Sequence, residues 1–281
     1  QIDAYLKRIG YTGSLNVSIE TLRGLHSAHV FHIPFENLNI HLGKPISLEL
    51  DAIFTKLVQD RRGGYCYEMN GLFSAVLLAL GFEVTRLQGR IMFGSDDVRP
   101  RSHQISLIRL DGQQWIADVG YGGRGLLEPM RLIPNAAVQQ YTETFRLTED
   151  PFYGYVLQSQ IEGAWQNLVG FTLESQHPVD YRFPNYWNST SPDSNFVHHR
   201  TVAMPTPEGR KILTDMQLKI RRYDEVMTRE LAWKPRWAMI MFVNCWARST
   251  LDISRKPLAM RPRPPTSGAP SWAWPEEALG P

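Results

Sequence analysis

The sequence Gln104-Ile-Ser-Leu-Ile-Arg-Leu-Asp111-Gly112-Gln-Gln-Trp-Ile-Ala-Asp118-Val119 gives the clearest structural signal in the chain. Two runs of strand-forming residues flank Asp-Gly, a dipeptide that favours a two-residue β-hairpin turn. The register of such a hairpin places His103 and Asp118 on one face as diagonal neighbours, roughly 7–8 Å apart. Because a buried carboxylate is costly without a partner, we expect the two side chains to be hydrogen-bonded. The alternative is an edge-strand Asp and a surface His.

The residues before this hairpin have the spacing of helices. Apolar residues recur at helical intervals over Ile2–Ile9, and Gly10 occupies the position of a C-terminal cap. Ser18 and Asp51 are the predicted N-caps of a second and a third helix. A fourth helix is predicted over residues 67–80. Apolar residues occupy nearly every face of this helix, so we expect it to be buried.

The residues after the hairpin predict further strands. Strand-forming runs at residues 142–147, 153–160 and 165–173 are separated by turn residues, which predicts an antiparallel sheet or small barrel. Residues 183–194 are rich in Pro, Asn and Ser and are interpreted as a connector. Residues 209–222 predict strands around a turn.

Composition and charge exclude several classes of protein. The chain has 281 residues, 43% hydrophobic and 21% charged, which favours two or three folding units. No apolar run approaches the ~20 residues of a membrane helix. A net charge of +2 argues against nucleic acid or an anionic membrane as the main partner. Two cysteines form neither a disulfide framework nor a four-ligand zinc site, so we expect a cytoplasmic protein without a metal.

Cys66 is a candidate nucleophile because it precedes the predicted buried helix and follows the glycine pair Gly63-Gly64. A helix start presents free amide hydrogens and a partial positive charge, which stabilise a thiolate and can later hold an oxyanion. The alternative is a small buried hydrophobe. Together with His103 and Asp118, Cys66 would complete a nucleophile, a base and an orienting acid for attack on an acyl carbon.

The segment Arg61-Arg-Gly-Gly-Tyr-Cys-Tyr-Glu-Met-Asn-Gly-Leu-Phe73 closely resembles the active-site signature of the arylamine N-acetyltransferases. Residues 33–38, His103-Gln104, residues 115–123 and residues 188–192 resemble other hallmark segments of this family, in the expected order. The resemblance extends from the N-terminus to about Tyr223.

This resemblance implies an α+β fold with a Cys-His-Asp core like that of papain-type proteases and transglutaminases. Residues 1–82 would form a helical bundle with the nucleophile, residues 83–187 an antiparallel β-barrel with the His and the Asp, and residues 188–281 a connector and an α/β lid. The triad is Cys66, His103 and Asp118. Family chemistry is a ping-pong reaction in which acetyl-coenzyme A acetylates the cysteine and an arylamine, arylhydrazine or N-hydroxyarylamine then accepts the acetyl group.

The resemblance also implies supporting and binding residues. Glu36 would pair with Arg61 and, together with Tyr65, support the catalytic loop and the oxyanion site, although Glu36 and Arg61 could instead be solvated surface charges. The expected acceptor pocket contains Phe35, Met92, Phe93 and Tyr121. The expected coenzyme A contacts are Ser102, Gly122, Gly123 and, in a short basic run that could equally be a solvated strand face, Lys219.

Several alternatives stay open. A rifamycin-type amide synthase would use the same triad with a larger acceptor cavity, and an inactive remnant or binding module would fit the tail, which from Leu231 onward departs from the family pattern. His26, His29 and His32 are interpreted as helix-flank histidines rather than metal ligands. Cys245 is expected to be packed rather than reactive. The acceptor, the acyl chain preference and a homodimeric state are not determined by the sequence.

Overall fold

The computed structural model of the chain describes residues 1–231 and begins with a group of helices around the N-terminal core. Within these residues, no helix is long and apolar enough to cross a membrane. A short strand, β1 (Phe35–Glu36), interrupts the helices, and α4 continues into a π-helical turn, Thr55–Gln59. The helices are α1 (Ile2–Ile9), α2 (Ile19–His32), α3 (Leu38–His41), α4 (Leu50–Phe54) and α5 (Cys66–Ala79).

Helix caps follow the sequence at two of the three predicted positions. Gly10 ends α1 in the left-handed conformation at φ 68°, and the Ser18 side chain accepts a hydrogen bond from the Thr21 backbone N–H. The prediction of Asp51 as an N-cap is wrong, because α4 begins at Leu50 after an extended Glu49. Asp51 instead lies in the first turn, where a negative charge is favourable at the helix start.

The predicted buried helix is α5, and the prediction of its burial is confirmed. Leu72, Phe73 and Val76 have no solvent exposure. These side chains belong to the core that α5 shares with α1, α2 and α4. A helix apolar on nearly every side is stable only in such a position.

The centre of the protein is an eight-stranded antiparallel sheet in the order β5-β4-β3-β2-β9-β8-β7-β6, called the barrel below. It curls until Pro134, between β5 and β6, forms a bridge with Leu147 of β7, so the barrel is nearly closed. The strands are β2 (Glu83–Ile91), β3 (Arg101–Leu110), β4 (Gln113–Ala117), β5 (Met130–Arg131), β6 (Val138–Gln140), β7 (Glu143–Asp150), β8 (Gly154–Ile161) and β9 (Ala164–Phe171).

The predicted hairpin is formed by β3 and β4, and its register is confirmed. Leu110 pairs with Gln113, and the same register continues to the pair Ser106 and Ala117. Asp111 and Gly112 have φ values of 50° and 70°. Two consecutive positive φ angles are typical of the turn whose twist matches paired strands.

The third part is a second antiparallel sheet, called the lid sheet, with five strands in the order β1-β10-β11-β12-β13. Because β1 comes from the N-terminal region, this sheet also joins the two ends of the described chain. Its other strands are β10 (Thr201–Thr206), β11 (Gly209–Thr214), β12 (Gln217–Arg222) and β13 (Glu225–Glu230), so the strands predicted over residues 209–222 are confirmed.

Helices α6 (Arg182–Thr190) and α7 (Asn195–His198) connect the barrel to the lid sheet. Residues 183–194, interpreted as a connector, do link these two parts of the fold, and most of them lie in α6. Pro184 lies in the first turn of α6, where its missing N–H removes no helical hydrogen bond. The tail after Leu231, including Cys245, lies outside the described residues, and the domain boundaries expected at 82/83 and 187/188 stay predictions.

Candidate active site

Cys66 is the first residue of α5, and the loop before it packs tightly against β1. Phe35 of β1 forms a parallel bridge with Gly64. A Cβ atom at Gly63 would lie 2.1 Å from the carbonyl oxygen of Pro34, so this approach requires a glycine. The helix start directs free backbone N–H groups and a partial positive charge towards Cys66, which is 3% exposed.

His103 and Asp118 form the hydrogen bond that the hairpin register predicts. The Nε2–Oδ2 distance is 2.7 Å, and both side chains are buried. The Asp118 Oδ1 atom accepts hydrogen bonds from Asn70 Nδ2 and from the Gly120 backbone N–H, each at 2.9 Å. Burial alone would raise the pKa of Asp118, but the His103 charge and these hydrogen bonds hold it below its ordinary value. Asp118 is therefore ionised.

His103 connects this carboxylate to the cysteine. Burial alone would lower the pKa of His103, but the charge of Asp118 and the hydrogen bonds to Asp118 and Cys66 raise it to about 10. Since Nε2 is bound to Asp118, Nδ1 is the nitrogen that faces Cys66. The three side chains thus form a continuous Cys–His–Asp chain, with an imidazole that favours its charged form beside the thiol.

A β-bulge aims His103 towards the start of α5. The pairing of β2 with β3 shifts between Gly89 and Arg90, which leaves Ser102 without a partner in β2. Bulges turn the strand locally and re-aim neighbouring side chains. The carbonyl oxygen of Ser102 faces the site. It lies 3.9 Å from Cys66 Sγ and accepts a hydrogen bond from Asn188 Nδ2 at 3.0 Å.

Asn70 is a site residue that the sequence reasoning missed. Its Nδ2 group donates to the carbonyl oxygen of Gln104 at 2.7 Å as well as to Asp118, and its Oδ1 atom accepts from the Val119 backbone N–H at 2.9 Å. Two signals were available: Asn70 lies within the signature-like segment 61–73, and it follows Cys66 by four residues, which places both residues on the same face of a helix. Asn70 therefore binds the nucleophile helix to β3 and to the segment that directly follows β4.

Comparison with known proteins gives a consistent assignment. A sequence profile described as N-acetyltransferase matches residues 18–241. The chain is 39% identical over 212 residues to an arylamine N-acetyltransferase of Escherichia coli, with 75% of each chain covered. It is 38% identical over 209 residues to an "Arylamine N-acetyltransferase / N-hydroxyarylamine O-acetyltransferase" of Salmonella typhimurium, with 74% of each chain covered. The chain belongs to the arylamine N-acetyltransferase family.

Solved structures of other members have the same fold. The arylamine N-acetyltransferase of Salmonella typhimurium superposes with a TM-score of 0.82 at 32% identity, covering 90% of this chain and 93% of that one. The Mycobacterium marinum enzyme in complex with CoA superposes with a TM-score of 0.81 at 33% identity, covering 88% and 94%. The predicted α+β fold class is confirmed, and this family member is an acetyltransferase.

Arg62, and not Arg61, binds Glu36 in this arylamine N-acetyltransferase. The Nη2 and Nε atoms of Arg62 lie 2.6 and 3.1 Å from Glu36 Oε1, and Glu36 Oε2 accepts from the Leu38 backbone N–H at 2.7 Å. The predicted pairing with Arg61 is wrong because the backbone of Arg61 turns through a left-handed conformation at φ 54°, and its side chain is exposed.

Tyr65, expected to support the catalytic loop, joins that loop to α6. It is fully buried, and its hydroxyl group donates a hydrogen bond to Asn185 Oδ1. Its backbone N–H donates to Glu68 Oε2 at 3.1 Å, which closes the first turn of α5. These two hydrogen bonds hold Tyr65 in place directly before Cys66.

The expected acceptor-pocket residues fall into two groups. Tyr121 lies edge-on to the His103 ring at a centroid distance of 5.5 Å, and its hydroxyl donates to the Leu168 carbonyl oxygen at 3.1 Å. Met92 donates its backbone N–H to the same oxygen, and Phe93 packs with Tyr121 against the barrel core. Phe35 lies on the other side, where it lines a cavity of about 10 Å³ with Tyr121 and Asp118. This space holds at most one water molecule, so an aromatic ligand requires side-chain movement.

Three of the expected coenzyme A contacts, Gly122, Gly123 and Lys219, lie in or beside the lid sheet, whereas Ser102 lies in β3. Gly122 has a φ of +85°, and a Cβ atom at Gly123 would lie 3.0 Å from Ile212 Cδ1 of β11. Lys219 of β12 pairs directly with Ile212, and its side chain is exposed. Within residues 1–231, no group of three or more His, Cys, Asp or Glu side chains is arranged to hold a metal ion.

Proposed function

We propose that this chain transfers an acetyl group from acetyl-coenzyme A to the nitrogen of arylamines and arylhydrazines, and to the oxygen of N-hydroxyarylamines, through a thioester on Cys66. The observation that carries this proposal is the buried triad, in which His103 contacts Cys66 on one side and Asp118 on the other. Family membership and the CoA complex of the Mycobacterium marinum enzyme support the donor, and the activities for which the relatives are named support the acceptors.

In the first half-reaction, the Cys66 thiolate attacks the acetyl carbon of the thioester. The developing oxyanion accepts a hydrogen bond from the Cys66 backbone N–H, and one such donor typically contributes about 10²–10³ in rate. The bond to coenzyme A sulfur then breaks, and His103 returns its proton to the departing thiolate. The exchange is easy because one thiolate replaces another of similar basicity.

In the second half-reaction, the acceptor nitrogen attacks the acetyl-cysteine carbonyl. His103 takes the proton from the amine, the carbon–sulfur bond breaks, and the Cys66 thiolate is restored with the amide product. Asp118 holds the imidazole in the orientation and tautomer that these transfers need. The buried surroundings exclude water, which disfavours hydrolysis of the thioester.

Binding roles belong to the same proposal. Flat aromatic acceptors would contact an aromatic pocket, and the acetyl donor would pass the glycines after Asp118. A nucleophilic thiol needs surroundings that keep it reduced, so we place the reaction in the cytoplasm. The proposed pocket residues are Phe35, Met92, Phe93 and Tyr121, and the proposed donor contacts are Ser102, Gly122, Gly123 and Lys219.

The test is acetylation of the purified protein by radiolabelled acetyl-coenzyme A in the absence of an acceptor. We expect wild type and Cys245→Ala to retain label and Cys66→Ala to retain none, because these are the two cysteines of the chain. Addition of an aniline or a hydrazine should release the label as the acetylated amine. A wild type that takes no label from any acyl-coenzyme A would refute the proposal and favour an inactive remnant, whereas turnover of small anilines would argue against an amide synthase.

A further inference from the structure

Arg210 of β11 is buried where the lid sheet meets the barrel, with its residue 4% exposed. Its Nε atom lies 2.8 Å from both carboxylate oxygens of Glu143, the first residue of β7, and its Nη2 group also donates to Glu143. The carboxylate compensates for burial of the guanidinium, since a charge away from water requires a hydrogen-bonded partner.

The remaining donors of Arg210 face the loop after Asp118. Nη1 donates to the carbonyl oxygen of Gly122 at 3.2 Å, and Nη2 donates to the carbonyl oxygen of Gly125. We call residues 122–125 the glycine loop. A guanidinium carries five N–H donors in a fixed plane, so it can bind a carboxylate and two carbonyl groups at once, which a single ammonium group cannot do in the same geometry.

The glycine loop depends on such contacts for its order. Gly122 has a φ of +85°, and a Cβ atom there would lie 3.0 Å from the Phe35 ring. A Cβ atom at Gly125 would lie 2.5 Å from Tyr121 Cβ. The close packing requires glycines, but glycines make a free loop flexible. An outside group that holds the carbonyls therefore decides the loop conformation.

We propose that Arg210, oriented by Glu143, is a positioning residue that fixes the glycine loop for the acetyl donor. The pair joins the lid sheet, the barrel and the loop that begins at the triad acid. Glu143 also binds Arg221, so loss of the Arg210 guanidinium leaves the carboxylate with a partner but leaves the Gly122 and Gly125 carbonyls without their donor. The functional part of the inference rests on the proposed use of acetyl-coenzyme A.

The experiment compares Arg210→Lys with wild type and with the matched control Arg146→Lys. Arg146 lies on β7 like Glu143, but it binds Gln158 and covers the Trp165 ring away from the glycine loop. Hydrogen exchange of the peptide covering residues 119–126 reports loop order directly. Steady-state kinetics are measured with acetyl-coenzyme A and with p-nitrophenyl acetate, an acetyl donor that lacks the coenzyme A arm.

We expect Arg210→Lys to exchange the loop amides about tenfold faster, because local opening becomes easier. The KM for acetyl-coenzyme A should rise about tenfold, while acetylation by p-nitrophenyl acetate stays within about twofold of wild type. The Arg146→Lys control should change neither quantity. Glu143→Gln keeps the shape of the acceptor but removes its charge. It should raise the exchange rate of the loop amides and the KM for acetyl-coenzyme A by a smaller factor than Arg210→Lys does.

Unchanged loop exchange in both Arg210→Lys and Glu143→Gln would overturn the inference. An equal loss of reaction with the two donors, in proportion to a smaller folded fraction, would assign Arg210 a purely structural role and would also overturn it. A wild type that uses p-nitrophenyl acetate but not acetyl-coenzyme A would instead refute the proposed donor, while the exchange measurement would still decide whether Arg210 orders the loop.

Discussion

Arg61 and Arg62 are adjacent and chemically identical, yet they occupy different environments. Arg62 forms a charged hydrogen bond with buried Glu36, whereas Arg61 is exposed and forms no ion pair with another residue in the range 1–231. The difference arises from the left-handed backbone at Arg61, which rotates successive side chains to different sides of the chain. Arg61 is thus a surface charge, whereas its neighbour Arg62 holds the catalytic loop through Glu36.

This difference predicts unequal effects of the same substitution. Arg62→Gln should lower the free energy of unfolding by roughly 1.5–3 kcal/mol, the usual contribution of a hydrogen bond to a charged group. Arg61→Gln should change it by less than about 0.5 kcal/mol, as expected at an exposed position. Urea denaturation of both variants checks the prediction, and equal effects would show that the Glu36 pairing is misassigned.

Helix α2 carries two fully buried histidines, contrary to their interpretation as helix-flank residues. His26 Nε2 accepts a hydrogen bond from the Asp118 backbone N–H at 3.2 Å, and His29 Nδ1 lies 2.8 Å from the Tyr5 hydroxyl. Both rings pack edge-on against Phe73. Burial lowers the pKa of His26 from 6.5 to about 4 and also lowers the pKa of His29. The helix therefore places neutral imidazoles directly behind the hairpin.

These shifts give the protein an acid-sensitive stability. Between pH 6.5 and pH 4, the unfolded chain binds a proton at His26 that the folded chain does not, so the free energy of unfolding falls as the pH falls. The slope is at most about 1.4 kcal/mol per pH unit for each such group. His26→Gln should therefore lose less stability over this range than wild type.

Thermal or urea unfolding across pH 4–7 measures this slope. The matched control is His32→Gln, because His32 lies on the same helix but is exposed. We expect the control to keep the wild-type slope, whereas a His26→Gln slope equal to that of wild type would show that His26 is protonated in the folded protein.

The active site as a unit exists because α5 docks on the β3–β4 hairpin. The contact includes the hydrogen bond between Ser74 and Ser106 at 2.9 Å, but its polar centre is Asn70, whose amide group binds Gln104 of β3 and Val119 just after β4. A single side chain thus connects the part of the chain that carries the thiol with the part that carries the imidazole and the acid.

Removal of this connection should weaken the entire protein. Asn70→Ala leaves the Gln104 carbonyl and the Val119 N–H without their partner, and an unsatisfied buried polar group typically costs about 1–3 kcal/mol. The free energy of unfolding in urea should fall by at least this amount, while the control Asn167→Ala, at an exposed position of β9, should remain within about 0.5 kcal/mol of wild type. An Asn70→Ala protein as stable as wild type would mean that the hydrogen bonds of Asn70 do not stabilise the docking of α5.

Local sequence was sufficient where structure is set by neighbouring residues. Asp111 and Gly112 fixed a turn, the turn fixed a register, and the register brought His103 to Asp118, because side chains alternate strictly along paired strands. Asp51 was misassigned as an N-cap, and the helix over Arg182–Thr190 was not predicted, because composition alone does not reveal where a helix begins.

The chain sequence therefore determined the hairpin, the buried helix and, through the resemblance of its motifs, the family. Only the tertiary structure shows that Arg62, and not Arg61, is the partner of Glu36, and that the bulge at Ser102 orients His103. Only the tertiary structure brings Asn70 and Arg210 into contact with loops that are distant in the chain. Such contacts depend on the packing of complete helices and sheets against one another. Local patterns such as a turn dipeptide or the alternation of a strand do not determine the distance between residues that are far apart in the chain.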